Sequence, residues 1–105
     1  MLIENTNIAA GEVVALKPLD GPDIIGRVAL DYKGTDEIAL RKPVNAHVVQ
    51  SPEGGLGLAF SPYSLCSKDD HIFRFSLDRL AVAPFLARDE VKKTYNEQTT
   101  SLKLL

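Results

Sequence analysis

The stretch 60–71, FSPYSLCSKDDH, brings together residue types that support nucleophilic catalysis in enzymes. It holds Cys66, the chain's only cysteine, followed by Asp69 and His71, which offer a nucleophile, an orienting carboxylate and a base. A cysteine and a histidine joined by a polar turn have no fixed geometry, however, and no second motif supports catalysis. Serine and aspartate side chains in such a run commonly satisfy backbone donors. The sequence therefore predicts a solvated turn between two strands, in a protein that is not an enzyme.

Metal and cofactor sites find no support in the spacing of the candidate ligands. One cysteine and two histidines, His47 and His71, lie far apart and match no metal-ligand pattern. The glycines Gly54, Gly55 and Gly57 do not precede a strand-to-helix junction, so they do not form a phosphate-binding loop. We expect no metal and no cofactor.

Charge and composition limit the possible partners. The 105 residues include 12 Lys and Arg against 14 Asp and Glu, for a net charge of -2, and both signs are scattered. This balance argues against binding a polyanion by bulk charge, but a local basic patch formed by folding or assembly stays possible. The first residues have neither the basic region nor the apolar run of a signal peptide, and no segment is apolar enough to span a membrane. With a single cysteine, these features predict a cytoplasmic protein that does not enter a membrane.

Most of the chain shows the period-two alternation of half-buried strands. In 23–32, for example, Ile24, Val28 and Tyr32 share one face. Pro43 lies inside the longest alternating segment, where it removes a backbone donor and predicts a bulge, bend or edge position. The alternating segments are 23–32, 37–49, 55–60 and 71–77, and the turn sequences between the early ones are 18–23, 33–37 and 51–55.

After Pro84 the pattern becomes helical, with acidic residues early and lysines later, as the helix dipole favours. Ala87, Val91 and Tyr95 form one narrow apolar stripe, which predicts either a lid on the barrel or a strut to a neighbouring subunit. The whole chain, 1–105, is thus predicted to be one mainly β domain. Its parts are a small, strongly bent, five-stranded barrel at about 11–85 and a C-terminal α-helix at about 86–99.

The segment LDGPDIIGRVALDY and several later motifs resemble those of the Sm-like (LSm) proteins. Similarity is greatest to the small Sm-like proteins of cyanophages and related tailed phages, and it covers about residues 11–96. The resemblance implies an SH3-type barrel, a homomeric ring of five to seven subunits formed by pairing edge strands, and binding of single-stranded RNA around a pore. The later motifs are KPV at 42–44, FSPY at 60–63, SKD at 67–69, AP at 83–84 and Tyr95.

The family's two RNA-binding motifs match only in part. Asp31 matches the first motif, but Glu37 stands where the family has an asparagine that reads uridine. The second motif, aliphatic-Arg-Gly, corresponds to Phe-Ser-Leu at 75–77, so its arginine and glycine are missing. Arg79 follows shortly afterwards and could substitute only in a rebuilt loop.

Five residues are the candidates for RNA contact. Tyr32 could stack on a base while Lys33 meets a phosphate, which is the combination that single-strand binders use. Arg41 and Lys42 form a basic pair, and Arg79 is the substitute named above. The alternative interpretation is a solvated hairpin loop and an edge lysine that discourages aggregation.

Two functional hypotheses follow. The first is a ring-forming Sm-like protein of phage origin that binds RNA as a riboregulator or RNA chaperone, in the cytoplasm of the host cell. The second is a non-enzymatic oligomeric scaffold or adaptor that binds protein partners and no RNA. The acidic balance and the missing motif residues favour the second, whereas the resemblance favours the first.

Overall fold

The computed structural model describes residues 7–68 and 70–103, which form a mainly β structure with a C-terminal α-helix. A 3-10 helix, Leu77–Arg79, separates the last two strands. The remaining elements, in chain order, are β1 (Asn7–Ile8), β2 (Val13–Leu16), β3 (Asp23–Val28), β4 (Tyr32–Lys33), β5 (Glu37–Gln50), β6 (Leu56–Pro62), β7 (Ile72–Ser76), β8 (Phe85–Leu86) and α1 (Asp89–Lys103).

The strands form two antiparallel sheets. Five strands lie in the order β6-β5-β3-β2-β8, and β7 also pairs with β5, while β1 and β4 form a separate pair. The predicted mainly β fold with a C-terminal helix is confirmed. The predicted count of five strands is not, because the described residues form eight. The two-residue strands β1, β4 and β8 are too short to show an alternating pattern in the sequence.

Strand β5 organises the larger sheet because its 14 residues pair with three other strands. Its first part pairs with β7, its middle with β3 and its last part with β6. At Lys42 the backbone takes a positive φ of 49°, and the pairing with β3 shifts register at the same point. The bulge or bend predicted from Pro43 is therefore confirmed. As a result, Leu40 and Val44, which would share a face in a regular strand, lie in different cores.

The two faces of the sheet pack into two hydrophobic cores, so β2 is buried on both sides and reads VVAL without a polar residue. The predicted stripe covers the second core, with Val91 and Tyr95 contributed by the helix α1 and Ala87 by the segment just before it. The buried residues of the first core are Ile8, Val14, Leu16, Ile24, Val28, Tyr32, Ile38 and Leu40. Those of the second core are Val13, Ala15, Ile25, Val44 and Tyr95.

The helix begins at Asp89, later than the predicted start near 86. Phe85 and Leu86 pair with β2, and the backbone N–H of Ala87 donates to the Val13 carbonyl at 3.0 Å. These residues cannot satisfy the sheet and a helix at once, so the helix starts after them. No helix in 7–68 or 70–103 is long and apolar enough to cross a membrane.

Gly26 lets β3 approach β5 closely, which gives a test of the packing. A Cβ at Gly26 would lie 2.8 Å from Leu40 Cδ1 and 3.2 Å from Leu40 Cβ, and Leu40 is fully buried. We expect Gly26→Ala to lower the free energy of unfolding by about 1–3 kcal/mol, measured by urea denaturation. The control is Gly57→Ala in β6, where the nearest atom is Val49 Cγ2 at 4.0 Å. Equal stability of the two variants would contradict this packing.

Candidate nucleic-acid interface

The predicted stacking residue, Tyr32, lies in the first core. Its side chain is only 3% exposed, and its hydroxyl donates to the Thr35 carbonyl at 3.2 Å. Burial, with a smaller contribution from the Asp36 carboxylate, raises the pKa of the Tyr32 phenol above its ordinary value. Lys33 is exposed on the short β1–β4 pair. The lysine is thus available to a ligand, but the tyrosine ring beside it presents no open face for a base.

The positions that match the family's RNA motifs serve the fold. Asp31 accepts a hydrogen bond from the Ala10 backbone N–H at 2.7 Å, and Phe75 and Leu77 pack against the first core. Arg79 is exposed on the 3-10 helix beyond the end of β7. These contacts are structural. The positions that match the family's motifs therefore support the fold and do not make up a base-reading pocket of the family's usual composition.

The register of three strands brings arginines together on the face of the sheet that also carries the second core. Arg27 of β3 lies directly opposite Arg41 of β5. On the other side of β5, Arg41 pairs with Ile72 of β7, so Arg74, two residues further along, is its diagonal neighbour. Diagonal neighbours in an antiparallel pair lie about 7–8 Å apart, within reach of two arginine side chains.

Of these three arginines, Arg27 is already engaged. Its guanidinium donates to the Gly11 carbonyl at 2.7 Å and to the Asn96 amide oxygen, and it lies 5.9 Å from the centroid of the Tyr95 ring. Arg41 and Arg74 are exposed and make no ion pair with any residue in 7–68 or 70–103. Two arginines therefore present their charge to solvent from adjacent strands.

A side chain of the helix α1 holds the backbone of the bulge that carries Arg41 and Lys42. The Tyr95 hydroxyl lies 2.9 Å from the Lys42 carbonyl and 3.2 Å from the Arg41 carbonyl, and donates to both. Tyr95 is 1% exposed, and burial raises the pKa of its phenol to about 12, although the nearby Arg27 guanidinium acts in the opposite direction. A phenol that stays protonated at ordinary pH keeps donating, so the bulge has a fixed support.

Two further basic side chains join the bulge from the loop between β6 and β7. Lys68 and His71 are brought together by a turn in which the His71 backbone N–H donates to the Lys68 carbonyl at 3.1 Å. Both side chains line a cavity that Lys42 also lines, and the His71 ring packs edge-on to Phe73 at 4.5 Å. We call the five residues Arg41, Lys42, Lys68, His71 and Arg74 the basic patch. Glu37 is the other diagonal neighbour of Arg74 on β5, so an acidic residue borders the basic patch on that side.

Two of the five predicted RNA residues, Arg41 and Lys42, belong to the basic patch, and the others lie outside it. Arg79 lies beyond the opposite end of β7, because Arg41 pairs with Ile72 at the start of the strand and β7 ends at Ser76, about 13 Å away at the usual rise per residue. Lys33 lies on the separate β1–β4 pair, opposite Asn7. The sequence alone did not suggest Lys68, His71 or Arg74 as partners of Arg41, although the polar side of the alternation in 71–77 already placed Arg74 outward.

The cysteine-containing stretch forms an irregular loop. Cys66 is an exposed free thiol, and its backbone N–H donates to Ser64 Oγ at 3.3 Å. Among the described residues its thiol shares no hydrogen bond with His71, and Asp69 lies outside those residues. The other histidine, His47, contacts Ser61 Oγ through Nε2 at 3.0 Å. No group of three or more His, Cys, Asp or Glu that could hold a metal occurs within 7–68 and 70–103.

Comparison with known proteins does not assign the chain to a family. No protein-family model matches the sequence, and no curated protein sequence matches it either. The arguments about function therefore rest on the basic patch, on the strand edges and on the resemblance of the motifs described above.

Removing the Tyr95 hydroxyl tests the support of the bulge. We expect Tyr95→Phe to lose about 1–2 kcal/mol of unfolding free energy at neutral pH, because two bulge carbonyls lose their donor. Since the folded-state pKa of Tyr95 is about 12 and the ordinary value is 10.0, its stabilising contribution is complete below pH 10 and is lost as the pH rises to about 12.

Urea denaturation at pH 8 and about pH 11 measures both effects, and the stability difference between wild type and Tyr95→Phe should shrink at the higher pH. Tyr63→Phe is the matched control, because Tyr63 is 43% exposed. A stability difference that grows with pH, or a Tyr63→Phe variant that behaves like Tyr95→Phe, would contradict this account.

Proposed function

We propose that this chain is a non-enzymatic, ring-forming Sm-like protein that binds single-stranded RNA through the basic patch. The observation that carries the RNA-binding part is the register that sets the exposed Arg41 beside Arg74 on adjacent strands, next to a cavity lined by Lys42, Lys68 and His71. Arginine and lysine are the side chains that contact nucleic-acid phosphates, and a local patch does not require a basic protein.

The path of the chain after β7 supports an SH3-type barrel. The 3-10 helix turns the chain back towards β2, where Leu80 bridges Pro18 and the Ala81 backbone N–H donates to the Lys17 carbonyl at 2.8 Å. The next strand, β8, then pairs with β2 itself. The chain that leaves β7 thus returns to β2, as the connectivity of a small barrel requires, while among the described residues β7 itself pairs only with β5.

The free strand edges support assembly into a ring. The larger sheet ends at β6 on one side and at β8 on the other, and each pairs with one strand among the described residues. Apolar side chains are exposed along both ends, including Leu58 on β6, and Val82, Phe85 and Leu86 around β8. An edge on one copy that pairs with a different edge on the next makes a head-to-tail contact, which closes into a ring when the rotation permits.

The proposed ring can be tested by the mass of the protein in solution. At micromolar concentration, light scattering should give five to seven times the mass of one chain. Val82→Pro should lower that mass, because proline removes a backbone donor from the segment leading into β8. Circular dichroism checks that the variant remains folded. A wild-type monomer would contradict the ring, and an unchanged mass for a folded Val82→Pro variant would exclude this segment as the contact.

The RNA-binding part can be tested by fluorescence anisotropy with short U-rich and A-rich RNA at low and physiological salt. The double substitution Arg41→Gln with Arg74→Gln should weaken binding at least tenfold. It should also reduce the slope of log affinity against log salt by about 1.4, the value for two lost phosphate contacts on a single strand. Arg88→Gln is the control, since Arg88 is an exposed arginine on the approach to α1, paired with Glu90 at 3.6 Å.

Absence of binding at both salt concentrations would contradict the RNA-binding proposal and favour the second candidate, a scaffold for protein partners. One observation favours that alternative. The β5–β6 hairpin extends away from the cores with apolar side chains in solvent, among them Val48 at 70% exposure and Leu56 at 78%. Contiguous exposed apolar surface is a mark of protein contact sites.

A further inference from the structure

We propose that the outer half of the β5–β6 hairpin is a contact surface for a second copy of this chain. The pairing of β3 with β5 ends at Asp23 and Ala46, whereas β6 pairs with β5 as far as Gln50 and Leu56. Residues 47–59 therefore form a two-stranded extension, which we call the arm. Its contact uses a face of the two strands and not a strand edge, so it is distinct from the contacts of the proposed ring.

The two faces of the arm differ in their side chains. Directly opposed residues of an antiparallel pair lie on the same face, as do residues two apart along a strand. One face therefore carries Val48, Leu58 and Leu56, and we call it the Val48 face. On this face Val48 is 70% exposed and Leu56 is 78% exposed. The opposite face carries Val49, whose neighbours there are small or polar.

The Val48 face extends the second core beyond the main part of the sheet. Ala46 and Phe60, the pair next to Val48 and Leu58, pack against that core. No third strand pairs with the arm within 7–68 and 70–103. A hairpin of two strands is marginally stable in water unless another strand or a helix packs against it. Burying the Val48 face in a contact would therefore stabilise the arm.

The charges of the arm favour a second copy as the partner. From Pro43 to Pro62, Glu53 at the tip is the only acidic residue, and this stretch has no lysine or arginine. A two-fold contact places the same patch on both sides, so a charged patch repels itself, whereas an uncharged apolar patch is complementary to its own copy. Contacts between different proteins commonly gain specificity from opposite charges, and the Val48 face offers none.

Glu53 also determines how the two arms lie. Parallel arms would place the two Glu53 carboxylates together, whereas antiparallel arms separate them. The tip of each antiparallel arm then lies towards the base of the other arm, where Asp23 is paired with Lys17 at 3.5 Å and their charges cancel. The two-fold axis passes near the middle of the Val48 face, at the Val48–Leu58 pair.

The small size of the Val48 face predicts a weak contact. Three apolar side chains from each copy are far fewer than the roughly 20–30 residues a side of a stable interface. We therefore expect the proposed ring to stay single at micromolar concentration. Two rings should pair through their arms only as the concentration is raised well above that.

Light scattering at increasing protein concentration tests the contact. The mass of the wild-type assembly should double between micromolar and near-millimolar concentration. Val48→Glu should abolish the doubling, because it places two carboxylates close to the two-fold axis. The matched control is Val49→Glu, which adds the same charge to the opposite face and should leave the doubling intact. Both positions are exposed, Val49 at 43%, and circular dichroism checks that the variants remain folded.

A disulfide trap measures the same contact without relying on the mass. Cys66, the exposed free thiol, is first replaced by Cys66→Ser. In this background Val48→Cys should form a disulfide-linked dimer under mild oxidation, since antiparallel arms bring the two copies of position 48 together. Val49→Cys in the same background should give at least fivefold less dimer on a non-reducing gel.

The outcomes separate the arm contact from the ring. A mass that doubles from one chain to two, and that Val48→Glu returns to one, would support the arm contact and exclude the ring. Selective cross-linking at position 48 would support it as well. Equal cross-linking at positions 48 and 49, or a doubling that Val48→Glu leaves unchanged, would overturn it. An unchanged mass without cross-linking would also overturn it, and would leave the Val48 face to a different protein, as in the second candidate function.

Discussion

The hydrogen bond from the buried Tyr95 hydroxyl to the carbonyls at the β5 bulge is the interaction on which the arrangement of the molecule depends. The bulge moves β5 from one core to the other, so that Leu40 packs on one side of the sheet and Val44 on the other. Where a bulge interrupts a strand, some backbone N–H and C=O groups lose their partners in the neighbouring strand. When such groups are buried they need other hydrogen-bond partners. The helix supplies the partner from a distance of more than fifty residues in sequence, and in doing so fixes Lys42 at the edge of a cavity.

This arrangement reconciles a net charge of -2 with a local cluster of basic residues. The balance of the whole chain says little about any one face, because acidic residues such as Asp31, just before β4, and Glu37, at the start of β5, lie outside the bulge. The bulge within β5 carries Arg41 and Lys42, and the β6–β7 loop carries Lys68 and His71 together with Asp70. Local charge density, and not the overall charge, governs contact with a nucleic-acid backbone. In the proposed function, a patch with few basic residues makes few phosphate contacts, so the affinity for RNA should fall only modestly as salt rises.

The sequence predicted the features that depend on local pattern. Period-two alternation placed Ile24, Val28 and Tyr32 on one apolar face, and they lie together in the first core. The same alternation placed Tyr32 on the apolar face, which conflicts with its predicted role in stacking on a base. The sequence pattern alone could not decide between the two. Pro43 indicated the bulge because proline cannot donate to a neighbouring strand.

Features that depend on pairing between distant strands could not be predicted from one sequence. Arg41 and Arg74 are separated by 33 residues and become neighbours only through the register of β5 with β7. The contacts of the Tyr95 hydroxyl could not be predicted either. The apolar stripe shows which face of the helix is buried, but it does not show what the Tyr95 phenol contacts there. The extra strands β1, β4 and β8 arise from pairings of two residues, which leave no periodic signal.

The most direct test of the central claim is to map RNA contact on the folded protein by NMR. Backbone amide signals of the uniformly labelled protein would be followed during titration with a U-rich single strand at physiological salt. The account predicts that the perturbed signals cluster at residues 41–42 and 67–74, with little change at Tyr32, Lys33 and Arg79. Perturbations concentrated at the loop 31–37 and at Arg79 would contradict it, since they would place the RNA where the family motifs lie and away from the basic patch.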